Sequence, residues 1–262
     1  MVSQPALVVS VPLPSGQVHN GVGTDFVLGG KSAVFLFASL TGGIYGWTGD
    51  GSATLAATGA APAAYIGIAL GTLSGAHHLY AANPAGNRID VSDNTFANVN
   101  AAFAGKWVDP GLPSGLVPFN IANLGGDLFV SYAPMSPTVV GLGVIDRFDT
   151  SGTSLERFAT ADATALPLYD PWGMAIAPPH FGKFSNALLV GDFNLGNGAA
   201  PPPSGGPGYI LAFDQTTQDF LGMLKGTDSA PLRIDGLWQL IFGNGGSGGD
   251  PSVLYFAAGI IN

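Results

Sequence analysis

Apolar residues along the chain cluster in short runs separated by Gly-, Pro- and Asp-containing breaks. No window carries apolar residues at i, i+3, i+4 and i+7 over a helical length, so the pattern predicts strands rather than amphipathic helices. The clearest unit begins with a glycine-containing apolar run, Tyr65 to Leu70. A second run, His78 to Asn83, is followed by the tight turn Pro84-Ala85-Gly86. A third covers Asn87 to Ser92. The link Asp93-Asn94 leads to a weaker fourth, Thr95 to Val99.

The same order recurs. Pro118 to Leu124, Asp127 to Tyr132, Gly143 to Asp149 and Ser154 to Ala159 form one copy. Pro171 to Pro178, Ala187 to Asp192, Gly208 to Asp214 and Asp219 to Leu224 form the next. Ala33 to Ser39, Gly43 to Trp47 and Ala53 to Ala57 match the second to fourth runs of an earlier unit. Gly236 to Phe242 and Val253 to Ala258 match the first two runs of a last one. The second runs superimpose as FLFAS, LYAAN, LFVSY, LLVGD and LYFAA, starting at Phe35, Leu79, Leu128, Leu188 and Leu254. These starts are 44, 49, 60 and 66 residues apart. A period of roughly 40–50 residues is that of a four-stranded propeller blade, with longer intervals from insertions. One insertion is the low-complexity stretch Gly196 to Gly208; another is FGNGGSGGDPS before the last run. A lone four-stranded unit cannot bury both faces, and stacking neighbours solves this. The fold class expected is therefore all-β, a β-propeller with about five blades represented, in one domain spanning 1–262. Parts of the first and last blades are missing from the count. The apolar N-terminal run PALVVSVPLP is a candidate to complete the last blade.

Composition narrows the function. Net charge is −9 with only 8 Lys and Arg, too few for a basic stripe, so nucleic acid and anionic membrane surfaces are poor partners. There are no cysteines, which excludes a disulfide framework, a thiolate zinc site and a Cys nucleophile. No apolar run is long enough to span a bilayer. Few basic residues with abundant Ala, Gly and Thr point to a secreted or periplasmic bacterial protein. Met1 to Pro5 lacks the basic start and apolar core of a leader, so a leader was removed or never existed.

HLYAANPAGNRIDVSD, and next DPWGMAIAP with LLVGDF and GYILAFD, resemble NHL repeats. Over nearly its whole length the chain resembles a family of secreted, largely uncharacterised bacterial proteins with an NHL-like six-bladed propeller. The resemblance implies a fold and six blades. It implies no reaction. The chain departs from that pattern at both ends: the family's first inner-strand pair is missing, and the last unit stops after its second strand.

Candidate ligand residues lie just before or within the inner strands: Tyr65, Asn120, Asp170, Trp172, Asp235 and Trp238. Oxygen donors on Asp170, Asp235 and Asn120 suit a hard ion such as Ca²⁺ or another divalent cation. The competing reading makes Asp170-Pro171 and Asp235-Gly236 turn dipeptides. Trp172 and Trp238 are placed either to stack on a sugar or aromatic ligand or to pack between blades. His77 and His78 are strand neighbours and face opposite ways; His19 and His180 lie in other units, so a His₃ zinc site has no support. No G-x-S-x-G elbow exists. Asp93, Asp149 and Asp214 each close a third run, a recurrence that argues for turns and against catalysis for the Asp146/Asp149 pair.

Three functions remain open. The first is a binding or interaction module taking a small-molecule, glycan or protein ligand. The second is a metal-assisted hydrolase, lactonase or lyase with an axial site. The third is a structural or assembly protein that oligomerises through its unfinished terminal blades.

Overall fold

The structure, a computed structural model, describes residues 9–134, 143–161, 168–193 and 208–259. Strand order follows the chain. The first sheet takes β1 (Pro14–His19), β4 (Phe35–Ser39), β5 (Gly43–Trp47) and β6 (Thr54–Thr58), with a small hairpin, β2 (Val27–Leu28) and β3 (Lys31–Ser32), inserted after β1. The second is β7 (Gly67–Leu73), β8 (Ala76–Asn83) and β9 (Arg88–Asp93). The third is β10 (Leu116–Leu124), β11 (Asp127–Pro134), β12 (Val144–Phe148) and β13 (Ser154–Thr160). The fourth is β14 (Pro171–Ile176), β15 (Leu188–Asp192), β16 (Tyr209–Phe213) and β17 (Phe220–Met223), and the fifth is β18 (Leu237–Phe242) with β19 (Leu254–Ala258). Neighbours pair antiparallel in the first, second, fourth and fifth sheets. A repeated antiparallel meander of this size is the blade of a β-propeller, and that is the fold class.

Two elements differ from expectation. The first sheet has its first strand after all, at Pro14–His19, in register Gln17↔Phe37 and Val18↔Leu36. Its sequence, PSGQVH, has a single aliphatic residue, so no apolar run announces it. It pairs with β4 of the first sheet. Residues 1–8 of the N-terminal run lie outside the described residues, as does the low-complexity stretch before Gly208. In the second sheet the expected fourth strand shrinks to a single bridge, Ser92↔Asn98. Three donors turn the chain there around Asp93 Oδ1: Thr95 N (2.8 Å), Thr95 Oγ1 (2.7 Å) and Ala97 N (3.0 Å). A 3₁₀ turn at Asn100–Phe103 then buries Phe103.

The chain divides into two compact units: Met1–Trp107 with Ile121–Leu128 and Asp149–Thr153, and Val108–Asn120 with Phe129–Phe148 and Ser154–Asn262. The first unit packs Leu36, Ala38, Ile44, Ile68, Leu79 and Phe26 into one core. The second packs Ala175, Leu189, Ile210, Ala212, Leu237 and Leu240. All five residues of β15 are buried, so its apolar residues Leu188, Leu189 and Val190 run consecutively rather than alternating. Each such Leu or Ile contributes about 1.5–3 kcal/mol. The fourth strands are the wet ones: Leu55, Leu155 and Leu221 are exposed.

First strands press on one another within each unit. A Cβ on Gly173 would stand 2.5 Å from Trp238 O and 2.7 Å from Leu240 N; one on Gly16 would stand 2.8 Å from Ile66 O. Glycine is required at both places by approach of backbone to backbone. Gly173→Ala is expected to lower unfolding free energy by about 1–3 kcal/mol in urea titration. Gly21→Ala, where nothing lies within 4 Å, is expected to stay within about 0.5 kcal/mol.

Candidate functional site

The last residue of the second strand ties down the approach to the first strand of the same sheet. Asp192, fully buried, accepts from Tyr169 N through Oδ2 (2.7 Å) and from Asp170 N through Oδ1 (2.9 Å). Asn83, at the same place in its sheet, accepts from Ala64 N (3.2 Å) and donates to Pro62 O (3.1 Å). Ser39 donates to Pro12 O (2.5 Å). Sequence reading did not single these out. The signal was present as the final letter of the superimposed second runs, which is Ser, Asn or Asp in three of them.

This tie positions Asp170. Its carboxyl is half-buried and accepts no hydrogen bond among the described residues. Burial, and then the charge of Asp192, push it up to about 7. Its carbonyl accepts from Phe193 N at 3.0 Å, which fixes Phe193 beside the start of β14. Trp172 follows two residues later and is buried among aromatic rings. Its ring centroid lies 4.8 Å from Phe119, 4.3 Å from Trp238 and 6.1 Å from Phe193. Phe193 and Trp238 meet edge to face at 5.5 Å, and both are half-buried. Phe193 and Trp238 thus form a partly accessible aromatic pair in the second unit, tied through the Phe193 backbone to Asp170.

The other candidates have different surroundings. Asn120 stands where Gly173 stands in the aligned units, and its Nδ2 donates to Trp172 O at 2.5 Å, linking β10 to β14. Asp235 is exposed. Tyr65 belongs to the first unit, where its buried hydroxyl donates to Asp90 Oδ2 at 3.0 Å; burial and the Asp90 charge push its phenol up. Asp90 also accepts from Asn83 (2.8 Å), Arg88 Nε (2.5 Å) and Asn100 (2.6 Å), a saturated buried carboxylate. Among the described residues no three or more His, Asp or Glu side chains are grouped to hold a metal ion. Asn120 has its amide nitrogen committed to a backbone carbonyl, and Asp235 faces solvent.

The histidines and turn aspartates behave as their positions suggest. His77 Nδ1 lies 2.6 Å from Asp25 Oδ2, whereas His78 packs edge-on against Phe103 at 6.0 Å. Asp149 Oδ1 accepts from Ser151 N and Thr153 N, both at 2.9 Å, and Asp214 Oδ1 from Thr216 N (2.8 Å) and Thr217 N (2.9 Å). These bonds to the ionised form outweigh burial and hold the Asp149 carboxyl below its usual range.

No family model matches the chain. Three uncharacterized proteins of Acanthamoeba polyphaga mimivirus are similar to it. R648 is 32% identical over 140 residues, 51% of this chain and 30% of that protein. L690 is 28% identical over 167 residues, 61% and 40%. R640 is 29% identical over 118 residues, 42% and 22%. The chain spans less than half the length of these curated relatives. Among solved structures, Kuenenia stuttgartiensis hydrazine synthase matches with a TM-score of 0.50 and 16% identity, over 94% of this chain and 57% of that one. A gluconolactonase from Xanthomonas campestris matches at 0.48 and 14%, over 86% and 79%. At these identities the likeness concerns the fold.

Asp192→Ala leaves two backbone N–H groups without their charged acceptor and is expected to cost about 2–4 kcal/mol of stability. Asp235→Ala is expected to change stability by less than about 0.5 kcal/mol. Urea unfolding of both variants checks the contrast.

Proposed function

We propose that the chain is a single-domain, secreted or periplasmic NHL-like propeller that binds a small-molecule or glycan ligand at the patch of Asp170, Phe193 and Trp238. The observation that carries this reading is the Asp170 carboxyl. It is half-buried, bonded to no other side chain among the described residues, and fixed through backbone bonds to Asp192 and Phe193. Indole and phenyl edges offer flat apolar contact, and a carboxylate accepts hydroxyl hydrogens; together they suit a sugar-like ring. Trp172, packed on three sides by aromatic rings, supports Trp238 rather than meeting the ligand itself.

A second reading rests on the same group. Asp192 is held by two N–H donors while Asp170 is pushed up to about 7. Two neighbouring carboxyls whose surroundings differ in this way are suited to acid/base work, with Asp170 as the proton carrier in hydrolysis of a lactone or glycoside. A structural role through oligomerisation has only the exposed side chains of β19, Tyr255 and Phe256, in its favour.

The test is a glycan and lactone panel, read by calorimetry for binding and by product release for turnover. Binding through an ionised Asp170 strengthens as pH rises through about 7 and loses that dependence in Asp170→Asn. Trp238→Ala is expected to weaken affinity about tenfold or more. Affinity indifferent to both substitutions sinks the site. Turnover that vanishes in Asp170→Asn favours the second reading.

A further inference from the structure

A different carboxyl, in the second unit, is buried in an arrangement that leaves it one charge too many. Asp146 on β12 pairs with Arg157 on β13. The guanidinium Nε donates to Asp146 Oδ1 at 2.7 Å, and its Nη2 is ion-paired with Asp109. Asp109 Oδ1 accepts from Gly111 N at 2.7 Å. One cation therefore serves two carboxylates. Asp146 is 1% exposed, and its Oδ2 is buried with no hydrogen-bond partner among the described residues.

The aligned position in the second sheet shows what such a carboxylate needs. Asp90 also sits third in its strand unit and is equally buried, but four side chains donate to it. Asp146 has one donor residue, and that residue is shared. The other titratable group facing it is Tyr132 on β11, whose phenol is pushed up by burial and then by the Asp146 charge. The nearby pair Arg147–Glu156 is bonded within itself at 2.9 Å and comes from strand positions that alternate with Asp146 and Arg157. A buried oxygen without a donor, beside a guanidinium already shared, is stable when it carries hydrogen itself.

We propose that Asp109, Arg157 and Asp146 form a buried proton-binding site, in which Asp146 holds a proton in the folded protein at mildly acid pH and gives it up as pH rises through neutrality, loosening the second unit. Burial acts in the same direction, pushing this carboxyl up to about 7. A group raised above its unfolded value contributes stability that is fully present at acid pH and lost as pH rises through the folded value. The device is therefore tightest in acid and weakest in alkali, the reverse of an ordinary carboxylate ion pair.

The experiment is an NMR titration of ¹³C-carboxyl-labelled aspartate in the whole chain, paired with urea unfolding across pH. It uses an Asp170→Asn background to remove the other raised carboxyl. One resonance, absent in Asp146→Asn, is expected to hold the protonated shift at about pH 6 and move only near neutrality. Relative to the double variant carrying Asp146→Asn, resistance of the background protein to urea should fall between about pH 4 and about pH 7 and change little above about pH 8. If Asp146→Asn does not fold, Asp109→Asn takes its place: freeing Arg157 for Asp146 alone should lower that resonance's midpoint. A resonance already ionised at about pH 5, an unchanged pH slope in the double variant, or a midpoint indifferent to Asp109→Asn overturns the proposal.

Discussion

Where one first strand lies against another, the contact is made by backbone, or by side chains that reach it. Gly173 lets β14 meet the carbonyl of Trp238 at a distance no side chain tolerates, and Gly16 does the same for β1 against Ile66. Asn120 solves the same problem by hydrogen bonding to Trp172 O. Ser15 Oγ donates to Tyr65 O at 2.5 Å. Everything proposed for function stands on this packing. It fixes where β14 begins, and hence where Asp170 and the aromatic rings beside it are held.

Polar side chains in this protein are mostly spent on backbone. Asp192, Asn83 and Ser39 hold the approach to the first strands, and Asp93, Asp149 and Asp214 close turns. A buried carboxylate in such a role is satisfied by N–H donors and stays ionised. Asp170 and Asp146 stand apart because no comparable set of donors reaches them. The two differ in accessibility: Asp170 can meet a ligand, while Asp146 can exchange little but a proton.

Much of the architecture was legible in the sequence. The second runs are largely apolar, and a periodic Asp closes the third, so four-stranded units can be counted from the sequence. β1 escaped because PSGQVH buries little and contains one aliphatic residue. The fourth strand expected in the second sheet is reduced to a bridge because a β-like composition at Thr95 to Val99 loses to the pull of Asp93 on the backbone. Of the candidate site, Asp170, Trp172, Trp238 and Asn120 do fall together in one unit. Their separate roles were not legible. Whether an Asn donates to a carbonyl or offers its oxygen to a ligand depends on a neighbour fifty-two residues away, Trp172. Phe193 and Asp192 were hidden for the same reason, since their importance lies in what their backbone and carboxyl reach.

The Asp turns have a consequence for how the chain is assembled. Each gathers donors from within four residues of itself, so its geometry is settled without reference to any other sheet. Third and fourth strands can then meet as a local hairpin, with little loop-closure entropy to overcome. Longer insertions between other strands lengthen the search for the remaining pairings but leave that nucleus untouched. The spacing between units can drift from 44 to 66 residues while the third and fourth sheets each keep a folding seed of their own.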